Sequence, residues 1–127
     1  MDTQTLVSVD IDRGAEIIET LDRAKVKVAV ALWAFLSEYE DWRLVMASRQ
    51  FDSPDPRSAY RLLHESIASA DTSFRKTPAV LILQTTDPFI RELRRLFGKA
   101  KSVKGMRLGG QTLGDRFIQD AYVYRIS

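Results

Sequence analysis

The sequence predicts an α/β domain of the α+β kind: a mixed, mostly antiparallel five-stranded sheet with about three helices, in the order α-β-β-α-β-α-β-β. Three observations carry this expectation. Two wholly apolar runs, Val28–Leu36 and Ala79–Leu83, read as strands covered on both faces. Asp55-Pro56 and Asp87-Pro88 each pair a capping carboxylate with a proline, and apolar residues at helical spacing follow. The C-terminal third sets glycines around an aromatic and β-branched run, as a hairpin does.

Taken in order, the alternation Val7, Val9, Ile11 predicts an extended arm on a sheet edge. Asp12 suits the N-cap of a helix over 13–24, whose apolar face is Ala15, Ile17, Ile18 and Leu21, with Gly14 weakening the first turn. Val26–Leu36 is β-branched and free of Gly and Pro, so it reads as a central strand. Ser37–Asp41 has hairpin length, which makes Trp42–Ser48 its antiparallel partner. Asp52–Pro56 is too short to separate two domains and reads as a turn. The helix beginning at Pro56 carries Tyr60, Leu63 and Ile67 on one stripe and should end near Ala70. Ala79–Gln84 reads as a second buried strand. Over Pro88–Phe97, residues Phe89, Ile90, Leu93, Leu96 and Phe97 form an amphipathic face, with Gly98 where a helix stops. Gly105, Gly109, Gly110 and Gly114 occupy turn positions before a last strand, Phe117–Ile126. Lone amphipathic helices need an apolar layer to cover, and the sheet supplies it.

A chain of 127 residues is expected to form one domain, 1–127, burying roughly two-thirds of its unfolded-chain surface. With 45% apolar and 28% charged residues the composition is that of a globular protein, not a disordered or fibrous one. The absence of cysteine excludes disulfides, thiolate metal sites and cysteine nucleophiles, and a single histidine, His64, excludes any intramolecular pair of imidazoles. The longest apolar run is far short of the ~20 residues a membrane helix needs. Met1–Thr5 has neither the basic nor the apolar region of a signal peptide, so the expectation is a cytoplasmic protein without a membrane partner. No residue pattern asks for a cofactor or a metal.

Charge is unevenly distributed. Residues 1–60 hold seven Lys/Arg against eleven Asp/Glu, and residues 61–127 hold twelve against six. The strongest local feature is a cationic run, Arg91, Arg94, Arg95, Lys99, Lys101, Lys104 and Arg107, opposed only by Glu92. Such a stripe can neutralise nucleic-acid phosphates and release counterions, or it can be a solvated helix face near a helix C-terminus. Its one aromatic residue, Phe97, belongs to the opposite, apolar face of the helix, which disfavours a platform for stacking single-stranded bases. The acidic turn Glu38, Glu40, Asp41 lacks the spaced ligands of a cation loop, and Asp10 and Asp12 belong to a cap region before they make a metal pair. Arg57 and His64 have a spacing similar to that in HEPN-type ribonucleases, but those are helical bundles and this chain has at least four strand signals. Asp120 falls inside the last strand, expected on one face with Ile118, Tyr122, Tyr124 and Ile126 and paired with an arginine such as Arg43. The glycines at 109, 110 and 114 form no phosphate loop, and Ser48 and Ser66 have no matched base.

Ala31-Leu32-Trp33, Trp42–Ser48, Ala59-Tyr60 and Asp120–Ile126 together resemble a group of short bacterial single-domain proteins of unknown function. The group shares a leading helix, an aliphatic strand ending in tryptophan, a Trp-Arg-Leu strand and a final strand ending in Tyr-Arg. The resemblance implies a bacterial origin and brings no catalytic residue with it. The Leu32-Trp33 strand and its short hairpin are also similar to GAF and PAS sensor domains, although the helix-first order and the short length depart from them.

The reading that follows is a non-enzymatic binding module whose partner is a protein, in the first instance a second copy of itself. Tyr122 and Tyr124 are the expected interface of that homodimer. A nucleic-acid-binding protein using segment 91–107 is the alternative, and a metal-dependent nuclease built on scattered aspartates is the third. An exposed apolar patch, a concave cationic surface and converging carboxylates would respectively distinguish them.

Overall fold

The computed structural model describes residues 8–68, 79–100 and 102–127. Three α-helices and a six-stranded mixed sheet give an α+β fold. The elements are α1 (Ser8–Arg23), β1 (Val30–Leu36), β2 (Asp41–Ala47), a 3-10 turn (Arg49–Phe51), α2 (Pro56–Ala68), β3 (Val80–Ile82), α3 (Pro88–Phe97), β4 (Arg107–Leu108), β5 (Gln111–Leu113) and β6 (Arg116–Ile126). The sheet order is β3-β2-β1-β6-β4, with β5 also paired to β6. The expected hairpin of β1 and β2 is antiparallel, Val30 facing Ala47 and Leu36 facing Asp41. β3 returns parallel to β2, Leu44 facing Val80, because α2 supplies the long connection that parallel pairing needs.

β1 lies at the centre, and strict alternation sends its side chains into two cores. Val30, Leu32, Ala34 and Leu36 meet Phe89, Ile90 and Leu93 of α3. Ala31, Trp33 and Phe35 meet Ile17, Ile18 and Leu21 of α1 and Ala59 and Leu63 of α2. An unbroken apolar strand is what a sheet covered on both faces requires. Asp87 caps α3, its carboxylate accepting the Phe89 N–H at 3.0 Å, and Asp55 accepts the Arg57 N–H at the start of α2.

Several expectations change. Val9 and Ile11 belong to α1, which begins at Ser8, and Val7 lies outside the described residues. Pairing in β1 begins at Val30; Val26 and Val28 are buried in the chain that leads into it. β3 is an edge strand of intermediate burial, not a central one, because among the described residues no strand pairs with its outer side, the side away from β2. The Tyr60 hydroxyl accepts the outward Ile82 N–H at 3.1 Å, so part of that edge is already satisfied. The glycine-rich segment folds into two short strands, β4 and β5, which makes six strands where five were expected. Gly98 ends α3 in a right-handed conformation, and Leu96 is exposed on that helix.

β6 has a register shift at each end of its pairing with β1. Ala31 faces Arg125 while Leu32 faces Val123, and Phe35 faces Asp120 while Leu36 faces Ile118. Each shift is a β-bulge that leaves one residue unopposed and reverses which face the next side chains meet. Ile118 and Ile126 therefore enter the α3 core, and Tyr122 and Tyr124 pack on the α1 side. Uninterrupted alternation would have placed all four together.

Candidate functional site

The cationic run does not form one surface. Arg91, Arg94 and Arg95 line an open depression at the C-terminal end of α3 with Gly98, Lys99 and Ser127. Lys104 is exposed in the turn before β4, and Lys101 lies outside the described residues. Arg107 points to the other side of the sheet: it faces Tyr122 in the β4–β6 register, whereas its neighbour Leu108 enters the α3 core. There Arg107 holds the Asp120 carboxylate at 2.6 Å, the role that Arg43 was expected to play. Arg43 instead pairs with Asp41 at 3.3 Å and lies over the Tyr39 ring.

Within the α3 depression, the cations differ in how free they are. Arg95 is paired with Glu92, which raises the guanidinium pKa and lowers that of the carboxyl through their mutual hydrogen bond. Arg94 donates from Nε to the Ser127 backbone oxygen at 2.8 Å. Arg91 and Lys99 form no ion pair among the described residues.

Arg94 and Ser127 also line a second, adjoining cleft of about 480 Å³. Its other walls are Lys25 and Lys27 from the loop between α1 and β1, and Arg49 and Gln50 from the turn after β2; the partly buried Ala29 gives it a small aliphatic contact. It opens at the edge of the sheet where β2, β3 and β6 reach their carboxyl ends and β1 begins. Lys25, Lys27 and Arg49 have no ion pair among the described residues, and no acidic side chain lines the cleft. Asp22 and Asp52 are engaged elsewhere, with Arg125 and with Thr85.

The neutral polar groups of this cleft are spent on holding its shape. The Ser48 hydroxyl donates to the Lys27 carbonyl at 2.6 Å and accepts the Gln50 N–H at 3.2 Å. The Gln50 side chain accepts the Lys27 N–H at 2.6 Å and donates to the Lys25 carbonyl at 3.2 Å. Lys25 sits in the left-handed region, φ 65°, where the chain leaves α1. Asp52 fixes the opposite wall by accepting the Thr85 N–H at 2.8 Å. What the cleft offers a ligand is positive charge on a braced frame. None of Lys25, Lys27 and Arg49 belonged to the cationic run, because they come from the acidic half of the chain and are gathered only by the strand ends.

Tyr122 and Tyr124 are half-buried beneath α1, their rings 5.3 Å apart edge to face. The large apolar side chains exposed among the described residues are Tyr39, Leu96 and Phe117. The remaining candidates disperse. His64 is exposed on α2, Glu38 pairs with Arg116, and Asp41 is tied to Arg43 and the Trp42 N–H. Among the described residues no three carboxylate or imidazole groups converge as metal ligands, and no helix is long and apolar enough to cross a membrane.

No family model matches the chain, and no curated protein or solved structure matches it significantly.

Proposed function

We propose that the chain is a non-enzymatic binding module whose ligand is a phosphate-rich polyanion, with a nucleic-acid backbone the form that fits best. The observation that carries this reading is the continuity of two cationic concavities through Arg94 and Ser127: Arg91, Arg95 and Lys99 rim one, and Lys25, Lys27 and Arg49 rim the other. Extended polyanions bind by exchanging condensed counterions for such charges, so affinity falls steeply with salt and depends little on base sequence. An electrophoretic mobility shift with duplex DNA across a salt series tests it. Four to six phosphate contacts predict a slope of log K against log salt of about −4 to −5. Arg91→Glu with Lys99→Glu should abolish the shift without unfolding the protein, since neither side chain is paired among the described residues. Absence of a shift at ~50 mM salt, where this electrostatic term is strong, would end this reading.

A second reading, association with another copy of the chain, is supported by Tyr39 and Phe117. Both are exposed at the end of the sheet away from the cationic clefts, beside the Glu38–Arg116 pair. A two-fold dimer would sediment at about 29 kDa, twice the 14.5 kDa of the chain, and Phe117→Ser should return it to the monomer.

A further inference from the structure

We infer that the cleft between Lys25, Lys27 and Arg49 is a discrete site for a nucleotide bearing a terminal phosphomonoester. It deepens the reading above, and rests on it where the nucleotide is the end of a strand.

Charge is the first argument. Three unpaired cations reach one concavity from two different segments, with Arg94 on a third wall. Like charges brought together repel, and here no acidic side chain of the lining offsets them. A terminal phosphomonoester carries about two negative charges near neutral pH, whereas a backbone diester carries one, so a convergent trio favours the former over any internal phosphate. The α3 depression, open and rimmed by Arg91, Arg95 and Lys99, has no such preference.

Size and lining supply the second. At about 480 Å³ the cleft falls within the usual range for small-molecule sites and is far larger than one phosphate group needs. Ala29, which is only partly buried, offers a small aliphatic contact for a sugar, whereas Val28 is turned into the core. The Ser48 hydroxyl is buried and bonded to the Lys27 carbonyl, and the Gln50 amide bonds the Lys25–Lys27 backbone with one N–H left over, too little to tell one base edge from another. Recognition should therefore be strong for the phosphate and indifferent to the base.

The third argument is rigidity. The Ser48 and Gln50 bonds strap the lysine-bearing loop to the turn that carries Arg49, so the frame is set before a ligand arrives. Preorganisation lowers the entropic cost of binding.

The test uses adenosine 5′-monophosphate, uridine 5′-monophosphate and adenosine in titration calorimetry. A single-stranded oligonucleotide with a 5′-phosphate or a 5′-hydroxyl is followed alongside by fluorescence anisotropy. The key variant is Lys27→Gln with Arg49→Gln; each single replacement serves if the pair unfolds, and Arg61→Gln on α2 is the control. If free nucleotide is the ligand, both monophosphates bind with similar affinity, adenosine does not, and the paired variant loses at least about tenfold, the scale of lost charge-assisted contacts. If the ligand is a strand end, free monophosphates fail, but the 5′-phosphate tightens oligonucleotide binding about tenfold, and the paired variant erases that difference. Oligonucleotide binding that ignores both the 5′-phosphate and the paired variant, with no monophosphate binding, overturns the cleft and leaves the α3 face standing. Monophosphate binding without any nucleic-acid binding keeps the cleft and sinks the polyanion reading. Failure of every ligand overturns both.

Discussion

The Trp33 indole N–H donates to the Tyr124 hydroxyl at 3.0 Å, and that hydroxyl donates in turn to the Ile11 carbonyl at 2.5 Å. The two side chains come from β1 and β6, and the relay ends on the first turns of α1. Trp33 also reaches the Asp10 carbonyl at 3.2 Å. Burial first of all pushes the Tyr124 hydroxyl pKa well up, the Trp33 hydrogen bond opposes that, and Tyr122, Asp12 and Asp10 add to the rise, so Tyr124 stays neutral and able to donate. The bulge that leaves Tyr124 without a partner on β1 turns its ring toward α1 and so makes the relay possible.

Tyr124→Phe should destabilise the fold by roughly 1–2 kcal/mol, since it removes the side-chain donor that the Ile11 carbonyl has beside its helical N–H and leaves Trp33 with one acceptor instead of two. Gly14→Ala sharpens the test. In a free helix that change is stabilising by up to about 1 kcal/mol. Here a Cβ would stand 2.8 Å from Trp33 Nε1 and press on the Tyr124 hydroxyl, so the sign should reverse. A more stable Gly14→Ala protein in urea unfolding would contradict this packing.

Leu93→Ala should cost roughly 2–5 kcal/mol, because Leu93 is fully buried where α3 meets the sheet. Two residues earlier Arg91 is exposed and unpaired among the described residues, so Arg91→Ala should change stability by less than about 0.5 kcal/mol. Arg94 is less suited to that comparison, as its side chain holds the Ser127 oxygen. Equal losses at 91 and 93 in urea unfolding would mean that the helix face is inverted.

Acid should weaken the fold through Asp22. Its carboxyl receives two hydrogen bonds from Arg125, at 2.9 and 2.8 Å, which lower its pKa below the ordinary 3.8. The folded state thus binds this proton less readily than the unfolded chain. Its stabilising effect is complete above pH 3.8 and is lost as pH falls through the lower folded value. Both side chains are more than a third exposed, so solvent holds the effect to under about 1 kcal/mol. Asp22→Asn should flatten the acid limb of a stability–pH curve and leave its neutral region shifted by a constant. An unchanged acid limb would mean that the pair is not formed in solution.

Periodicity and end signals determined most of the fold. The unbroken apolar character of Val30–Leu36 was enough to make it a strand covered on both faces, the short Ser37–Glu40 turn made its partner antiparallel, and Asp87-Pro88 located α3 to the residue. These are local properties, set by side chains within a few positions of one another. Tertiary structure alone decided three other things. The depth of β3 depends on what lies beyond it, and Ala79–Gln84 has the same composition at an edge as at a centre. The facing of Tyr122 and Tyr124 depends on two bulges that exist only where β6 is paired with β1. The candidate site depends on both. Chain order grouped Arg107 with Arg91, and the sheet separates them; chain order put Lys25, Lys27 and Arg49 in the acidic half, and the ends of β1 and β2 bring them to Arg94. Charge acts through space, so a cationic surface is set by where strands end rather than by which residues are neighbours along the chain.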